Sequence, residues 1–150
     1  MMEHKYIKIL GIDPGTRLCG FACVQSKKLN PHSISDFQII DAGLIKINPK
    51  LYPHIRIGML HQQINILLQQ IKPDIIVVEK AFSGVNVSSA LKLGEARGAI
   101  ISAAYINNIP LVQLTPAEVK KIITGNGRAS KDILQTTLTM FMQYDLNNIP

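Results

Sequence analysis

The chain has 150 residues, the usual size of one globular domain, and 47% of them are hydrophobic, which predicts a packed core and excludes global disorder. No apolar run approaches the roughly 18–20 residues that cross a bilayer, and the start of the chain lacks a secretion-signal pattern, so we expect a cytoplasmic protein that does not enter a membrane. Lysine and arginine total 16 against 10 acidic residues, a formal net charge of +6. This surplus favours a polyanionic partner, because each neutralised phosphate releases bound counterions.

Three strands are predicted before the first helix. Residues 6–12 form the first, which ends at Asp13 and a Pro14-Gly15 pair that fits the centre of a type II turn. Residues 20–26 and 34–47 supply the second and third strands. The first part of the chain is therefore predicted as an antiparallel meander.

An amphipathic helix and a buried strand follow. Apolar residues recur at steps of three and four from Ile57 to Ile71, which is the period of a helix. Residues 75–78 form a short, continuous β-branched run, typical of a strand buried on both faces of a parallel sheet. Glu79 comes directly after this strand.

The second half of the chain alternates helices with one more strand. Helices are predicted over residues 88–107 and 131–143, with a strand over residues 110–114. Between them, Thr115 has the features of a helix N-cap, because Pro116 follows it and Glu118 can complete a capping box.

Two glycines lie one turn apart within the helix predicted over residues 88–107. Gly94 and Gly98 each cost about 1 kcal/mol relative to alanine, but together they leave a smooth face. Either the chain's own sheet or a partner helix could approach that face, and the sequence does not decide between them.

This order of elements is that of the ribonuclease H-like fold, an α/β fold with a mixed five-stranded sheet flanked by helices. We expect one such nuclease domain over residues 1–150. A right-handed crossover places the strand of residues 75–78 beside and parallel to the first strand. Asp13 and Glu79 then end neighbouring strands about 5 Å apart, at the edge where open α/β sheets bind ligands.

Paired carboxylates at such an edge point to metal chemistry. They repel each other unless a cation lies between them, and Mg²⁺ prefers carboxylate, water and phosphate oxygens. Two such ions can activate a water and stabilise the leaving oxygen of a phosphodiester. Each residue alone has a plainer explanation, because an aspartate before Pro-Gly is common in turns and a glutamate after a strand is often only solvated. Their predicted adjacency favours a metal site at Asp13 and Glu79.

Several segments, taken in order, resemble the signature segments of the RuvC family of Holliday junction resolvases. They span nearly the whole chain, whereas the first of them alone is similar to a loop of actin-like ATPases. The segments are GIDPGT at 11–16, VEKAF at 78–82, ALKLGEARG at 90–98, TPAEVK at 115–120 and GNG at 125–127.

The resemblance implies a crossover junction endodeoxyribonuclease of recombination and repair. Such proteins are homodimers that bind a four-way DNA junction, nick two strands symmetrically with Mg²⁺ or Mn²⁺, two ions per active site, and work with a branch-migration helicase complex. Asp13 and Glu79 match the first two metal-binding positions.

The resemblance also implies residues that contact DNA. Phe82 matches an aromatic residue that contacts bases near the junction centre, and Lys120 and Lys131 match basic residues close to the scissile DNA. Arg128 adds a neighbouring positive charge. From the residues alone, Phe82 could equally make a hydrophobic contact within its loop, and Lys131 could be an ordinary surface lysine.

Two further cations, Lys92 and Arg97, are interpreted as residues of the helix surface.

The chain departs from the family at its end. The family's third and fourth metal ligands lie on a final helix, and Asp132 and Asp145 match neither of them. We therefore expect the chain to lack that helix, which leaves a catalytically incomplete junction-binding module as an alternative. An actin-like phosphotransferase half is a second alternative, which the length of the chain disfavours.

Overall fold

The computed structural model describes residues 6–80 and 86–142. Its elements in chain order are β1 (Lys8–Asp13), β2 (Leu18–Ser26), a 3₁₀ helix (Ile34–Asp36), β3 (Phe37–Lys46), α1 (Pro53–Ile71), β4 (Ile75–Glu79), α2 (Val87–Ile106), β5 (Leu111–Leu114), α3 (Pro116–Thr124) and α4 (Lys131–Met142). Within these two stretches, no helix has the length and apolar character needed to span a bilayer.

The five strands form one mixed sheet in the order β3-β2-β1-β4-β5. The first three strands are an antiparallel meander, while β4 lies parallel to both β1 and β5. The predicted fold class, a mixed five-stranded sheet flanked by helices, is confirmed, and so is the crossover that brings β4 beside β1.

The core lies between one face of this sheet and the pair α1 and α2. Side chains alternate across a strand, so every second residue of β1 and β4 points into this layer. The helices are joined by a hydrogen bond between the Nδ1 of His61 and the carbonyl oxygen of Ala99, 3.1 Å. The buried residues that α2 contributes to this layer are mostly alanines. The fully buried side chains of this layer include Leu10, Leu60, Ile64, Leu68, Ile76, Val78, Ala96, Ile100 and Ala103.

The third strand begins at Phe37, so the prediction that it starts at residue 34 was wrong. The buried carboxylate of Asp36 accepts hydrogen bonds from the backbone N–H groups of His32 and Ser33, at 2.9 and 3.2 Å. It also pairs with Lys28 at 2.6 Å. These contacts close the segment before β3 into a turn, because an aspartate that binds nearby backbone N–H groups competes with strand pairing.

The loop after Asp13 is not a type II turn, because Gly15 does not have the positive φ that this turn requires. Its glycine is needed for a different reason. A Cβ built on Gly15 would overlap the carbonyl oxygen of Leu18, so the loop closes tightly onto the start of β2.

Candidate active site

The site lies where β1 and β4 end side by side. Ile12 pairs with Val78 in the parallel register, and Asp13 and Glu79 are the next and last residues of the two strands. Parallel neighbours lie about 4.8 Å apart. Both carboxylates line one small pocket of about 80 Å³, whose other walls are Pro14, Leu93 and Arg97. The crossover therefore brings together two acids that are far apart in the sequence.

The electrostatics of this pair disfavour two unneutralised charges. Both side chains are exposed on one side, yet the groups packed against their inner sides remove enough water to raise the pKa of each carboxyl. For Glu79, the charge of Asp13 is a second cause that raises the pKa. Since a cation between them would favour both ionised forms, the pocket is chemically suited to hold one.

Two lysines approach the pair from the next two helices. Lys131 lowers the pKa of Asp13, and Lys120 lowers the pKa of Glu79, in each case against the larger effect of burial. The structure thus brings four predicted site residues, Asp13, Glu79, Lys120 and Lys131, into one electrostatic cluster.

Local sequence explains how Lys120 reaches Glu79. The last residue of β5, Leu114, pairs with Glu79, and α3 begins immediately afterwards. The predicted capping box is present, because the side chain of Thr115 accepts from the N–H of Glu118 at 3.1 Å and Glu118 accepts from the N–H of Thr115 at 2.7 Å. The start of α3 is therefore fixed beside the site, and Lys120 lies in its second turn, half-buried.

Arg128, a further predicted residue, is not among the causes of either pKa shift. Arg128 is exposed in the loop between α3 and α4, where its backbone N–H donates to the Oδ1 of Asn126 at 3.0 Å. Its side chain makes no hydrogen bond or ion pair within residues 6–80 and 86–142. Phe82 and Asp145 lie outside the described residues.

The donor set fits a hard divalent cation. Within the described stretches, no three residues among His, Cys, Asp and Glu converge on one point, so the protein oxygens on offer are those of Asp13 and Glu79. Mg²⁺ binds with one or two carboxylates while waters and phosphate oxygens complete its shell.

Sequence reasoning missed Arg97, which forms a wall of the pocket although it was assigned to the helix surface. The sequence did contain a signal that Arg97 faces the sheet. Arg97 lies on the same stripe of α2 as Leu93 and the buried Ile100, at steps of four and three residues, so it stands where that helix meets the sheet. A cation at the border of an apolar stripe is a better candidate for a site residue than one on the opposite face.

This mixed sheet, with paired carboxylates at its carboxyl edge and cations around them, is the arrangement of a ribonuclease H-like domain. The family profile described as "Crossover junction endodeoxyribonuclease RuvC" matches residues 9–150. The chain belongs to the RuvC family, as its signature segments predicted.

Individual relatives agree with this assignment. The chain is 34% identical over 142 residues to the crossover junction endodeoxyribonuclease RuvC of Chlorobium phaeovibrioides, covering 95% of this chain and 71% of the relative. It is 40% identical over 125 residues to that of Carboxydothermus hydrogenoformans, covering 83% and 75%. The structure of Thermus thermophilus RuvC in complex with Holliday junction substrate has the same fold, with a TM-score of 0.84 at 24% identity over 96% of this chain and 84% of that one.

Proposed function

We propose that this protein binds four-way DNA junctions and hydrolyses one phosphodiester in each of two opposing strands, with a divalent metal ion. The observation that carries the proposal is the pocket shared by Asp13 and Glu79 at the parallel ends of β1 and β4, in a chain of the RuvC family. A solved relative with the same fold is described in complex with a Holliday junction.

Asp13 and Glu79 are proposed to hold the metal, which we infer to be Mg²⁺ or Mn²⁺. When bound, it would activate water and offset charge on the phosphate. Two ions per active site follow from the family resemblance. The two carboxylates supply protein ligands for the first of them, and the second would depend on further oxygens from water, phosphate or other residues of the chain.

The cations of the site are proposed to place the DNA strand. Lys120 and Lys131 flank the carboxylates and would bind the phosphates next to the cleaved bond. Lys131 is the first residue of α4, where a cation opposes the helix dipole. A phosphate at this helix start would be attracted by both the lysine and the free N–H groups.

Two further residues are proposed to position the rest of the junction. Arg128, exposed between α3 and α4, would bind a more distant backbone phosphate. Phe82 would stack on a base near the junction centre, because any base offers a flat face to an aromatic ring.

We propose a homodimer, because one pocket makes one nick and two symmetric nicks need two pockets. The exposed face of α2 offers a surface for a second copy. Leu91 and Tyr105 are 66% and 83% exposed there. Apart from the adjoining residues and the backbone of α2 itself, no described atom lies within 4 Å of a Cβ built on Gly94 or Gly98. The glycine face therefore does not pack against the sheet of its own chain. A cytoplasmic location and a branch-migration helicase partner are proposed from the family resemblance.

The test is nicking of a labelled synthetic four-way junction by the purified protein in Mg²⁺ or Mn²⁺, with a linear duplex of the same sequence as the control. Asp13→Asn and Glu79→Gln should abolish nicking and leave junction binding intact. Asp41→Asn, which removes the same charge from an exposed position on β3, should cut normally.

The outcomes separate the two candidate functions. Wild-type protein that binds the junction but yields no product in either metal would favour the catalytically incomplete junction-binding module. Normal cutting by Asp13→Asn or Glu79→Gln would remove that residue from the chemistry.

A further inference from the structure

Arg97 lines the carboxylate pocket from the side opposite the two lysines. Arg97 belongs to α2, which covers the sheet face that holds the core. Lys120 and Lys131 belong to α3 and α4, and residues of those helices line a groove over the other sheet face. Arg97 and the lysines therefore reach the edge of the sheet around Asp13 and Glu79 from two directions.

Most hydrogen-bond donors of Arg97 are unused. Its Nη2 donates to the Oε1 of Gln113, but its Nε is buried and has no partner in the described part of the chain. Nor does Arg97 pair with an acid among the described residues. A guanidinium has five N–H donors in one plane, and a buried donor without an acceptor is costly.

The contact with Gln113 holds the guanidinium close to the carboxyl edge of the sheet, where Asp13 and Glu79 lie. Gln113 lies on β5 and pairs with Val78, the residue before Glu79. The glutamine that holds the guanidinium thus lies on the strand next to β4, level with the residue before Glu79. It restrains the guanidinium without neutralising it, since the amide of glutamine is uncharged.

We propose that Arg97 binds a phosphate of the DNA strand held in the carboxylate pocket and so helps to place that strand. The inference rests on the proposed function and adds a phosphate-binding group from α2. An oxygen-rich anion is the ligand that a planar cation with free donors recognises best. The metal would occupy the carboxylates, which leaves Arg97 free to bind the phosphate.

The first test measures junction affinity without cleavage, in EDTA, at several salt concentrations. A lost phosphate contact makes the plot of log K against log[salt] shallower by about 0.9. Arg97→Gln should show this change and bind about ten-fold more weakly at low salt. Lys72→Asn is the matched control, because it removes one charge at the opposite end of the sheet, where Ile71 contacts Lys8 at the start of β1. Asparagine also tolerates the left-handed conformation of that residue.

The second test measures nicking at saturating protein in Mg²⁺. Arg97→Lys keeps the charge but loses the planar fork, so its salt dependence should stay that of the wild type while nicking slows about ten-fold. If Arg97→Gln fails to fold, Arg97→Lys alone decides, and normal nicking by it would overturn the proposal. If Arg97→Gln folds, a slope equal to that of the wild type would overturn it. A wild-type protein that neither binds nor cuts junctions would instead refute the proposed function itself.

Discussion

Glu79→Gln should make the metal-free protein more stable, because it removes one of two carboxylates at the ends of adjacent strands. Two unit charges about 5 Å apart in water repel by about 0.8 kcal/mol. Salt screening and the loss of the attraction to Lys120 reduce the gain to about 0.5 kcal/mol. For a chain of this size that corresponds to a rise in Tm of about 1–2 °C.

The pH dependence has a definite sign. Folding raises the pKa of Glu79 above its ordinary value of 4.5, so the folded state binds the proton more tightly than the unfolded state does. The free energy of unfolding of the wild type therefore falls as pH rises through the interval between the two pKa values. Wild type and Glu79→Gln should have nearly equal Tm below pH 4, and the variant should have the higher Tm at pH 7.

At pH 7, Mg²⁺ should make the wild type more stable than Glu79→Gln, which reverses their order in the absence of metal. Metal at ten times its Kd adds about 1.4 kcal/mol to the stability of the wild type and should add much less to the variant, which has lost a ligand. Thermal unfolding in EDTA and in Mg²⁺ measures both effects, with Asp41→Asn as the control. A variant that is less stable than the wild type in EDTA, or an equal Mg²⁺ shift in both proteins, would refute the shared carboxylate pocket.

Three more predictions concern the scaffold of the site. Gly15→Ala should lower both Tm and nicking, because its Cβ would overlap the carbonyl oxygen of Leu18 and displace the loop after Asp13; unchanged nicking would contradict this. Asp36→Ala should lower the Tm at pH 7, where Lys28 and two backbone N–H groups hold the pKa of Asp36 at about 2. That deficit should shrink as pH falls from 4 towards 2, and a deficit independent of pH would exclude the ionised carboxylate as its cause. Leu60→Ala should cost about 2–5 kcal/mol in urea unfolding, and a loss below 1 kcal/mol would mean that the core can collapse around the cavity.

The sequence predicted those parts of the fold that depend on regular patterns. The β-branched run before Glu79 and the helical spacing before it were enough to predict the crossover, because handedness leaves few other arrangements. Asp13 and Glu79 could be paired because the carboxyl ends of adjacent parallel strands share an edge.

The sequence could not predict features that depend on three-dimensional contacts. Arg97 is a wall of the pocket; its place on the apolar stripe of α2 marks a cation near the sheet, but not which end of the sheet that cation reaches. Gly15 looked like a turn residue, yet the close approach of Leu18, which is set by the hairpin, explains it. The start of β3 was misplaced because the Asp36 carboxylate binds backbone N–H groups that a strand would have left free.

The register of β1 against β4 links folding fidelity to catalytic competence. A slip of one residue between these strands would turn Glu79 towards the opposite face of the sheet. The same slip would expose Ile76 and Val78, which are fully buried in the native register. Misaligned molecules are therefore penalised by the loss of apolar packing before any metal or DNA is present. Selection for a well-filled interior in this layer is at the same time selection for an aligned pair of acids.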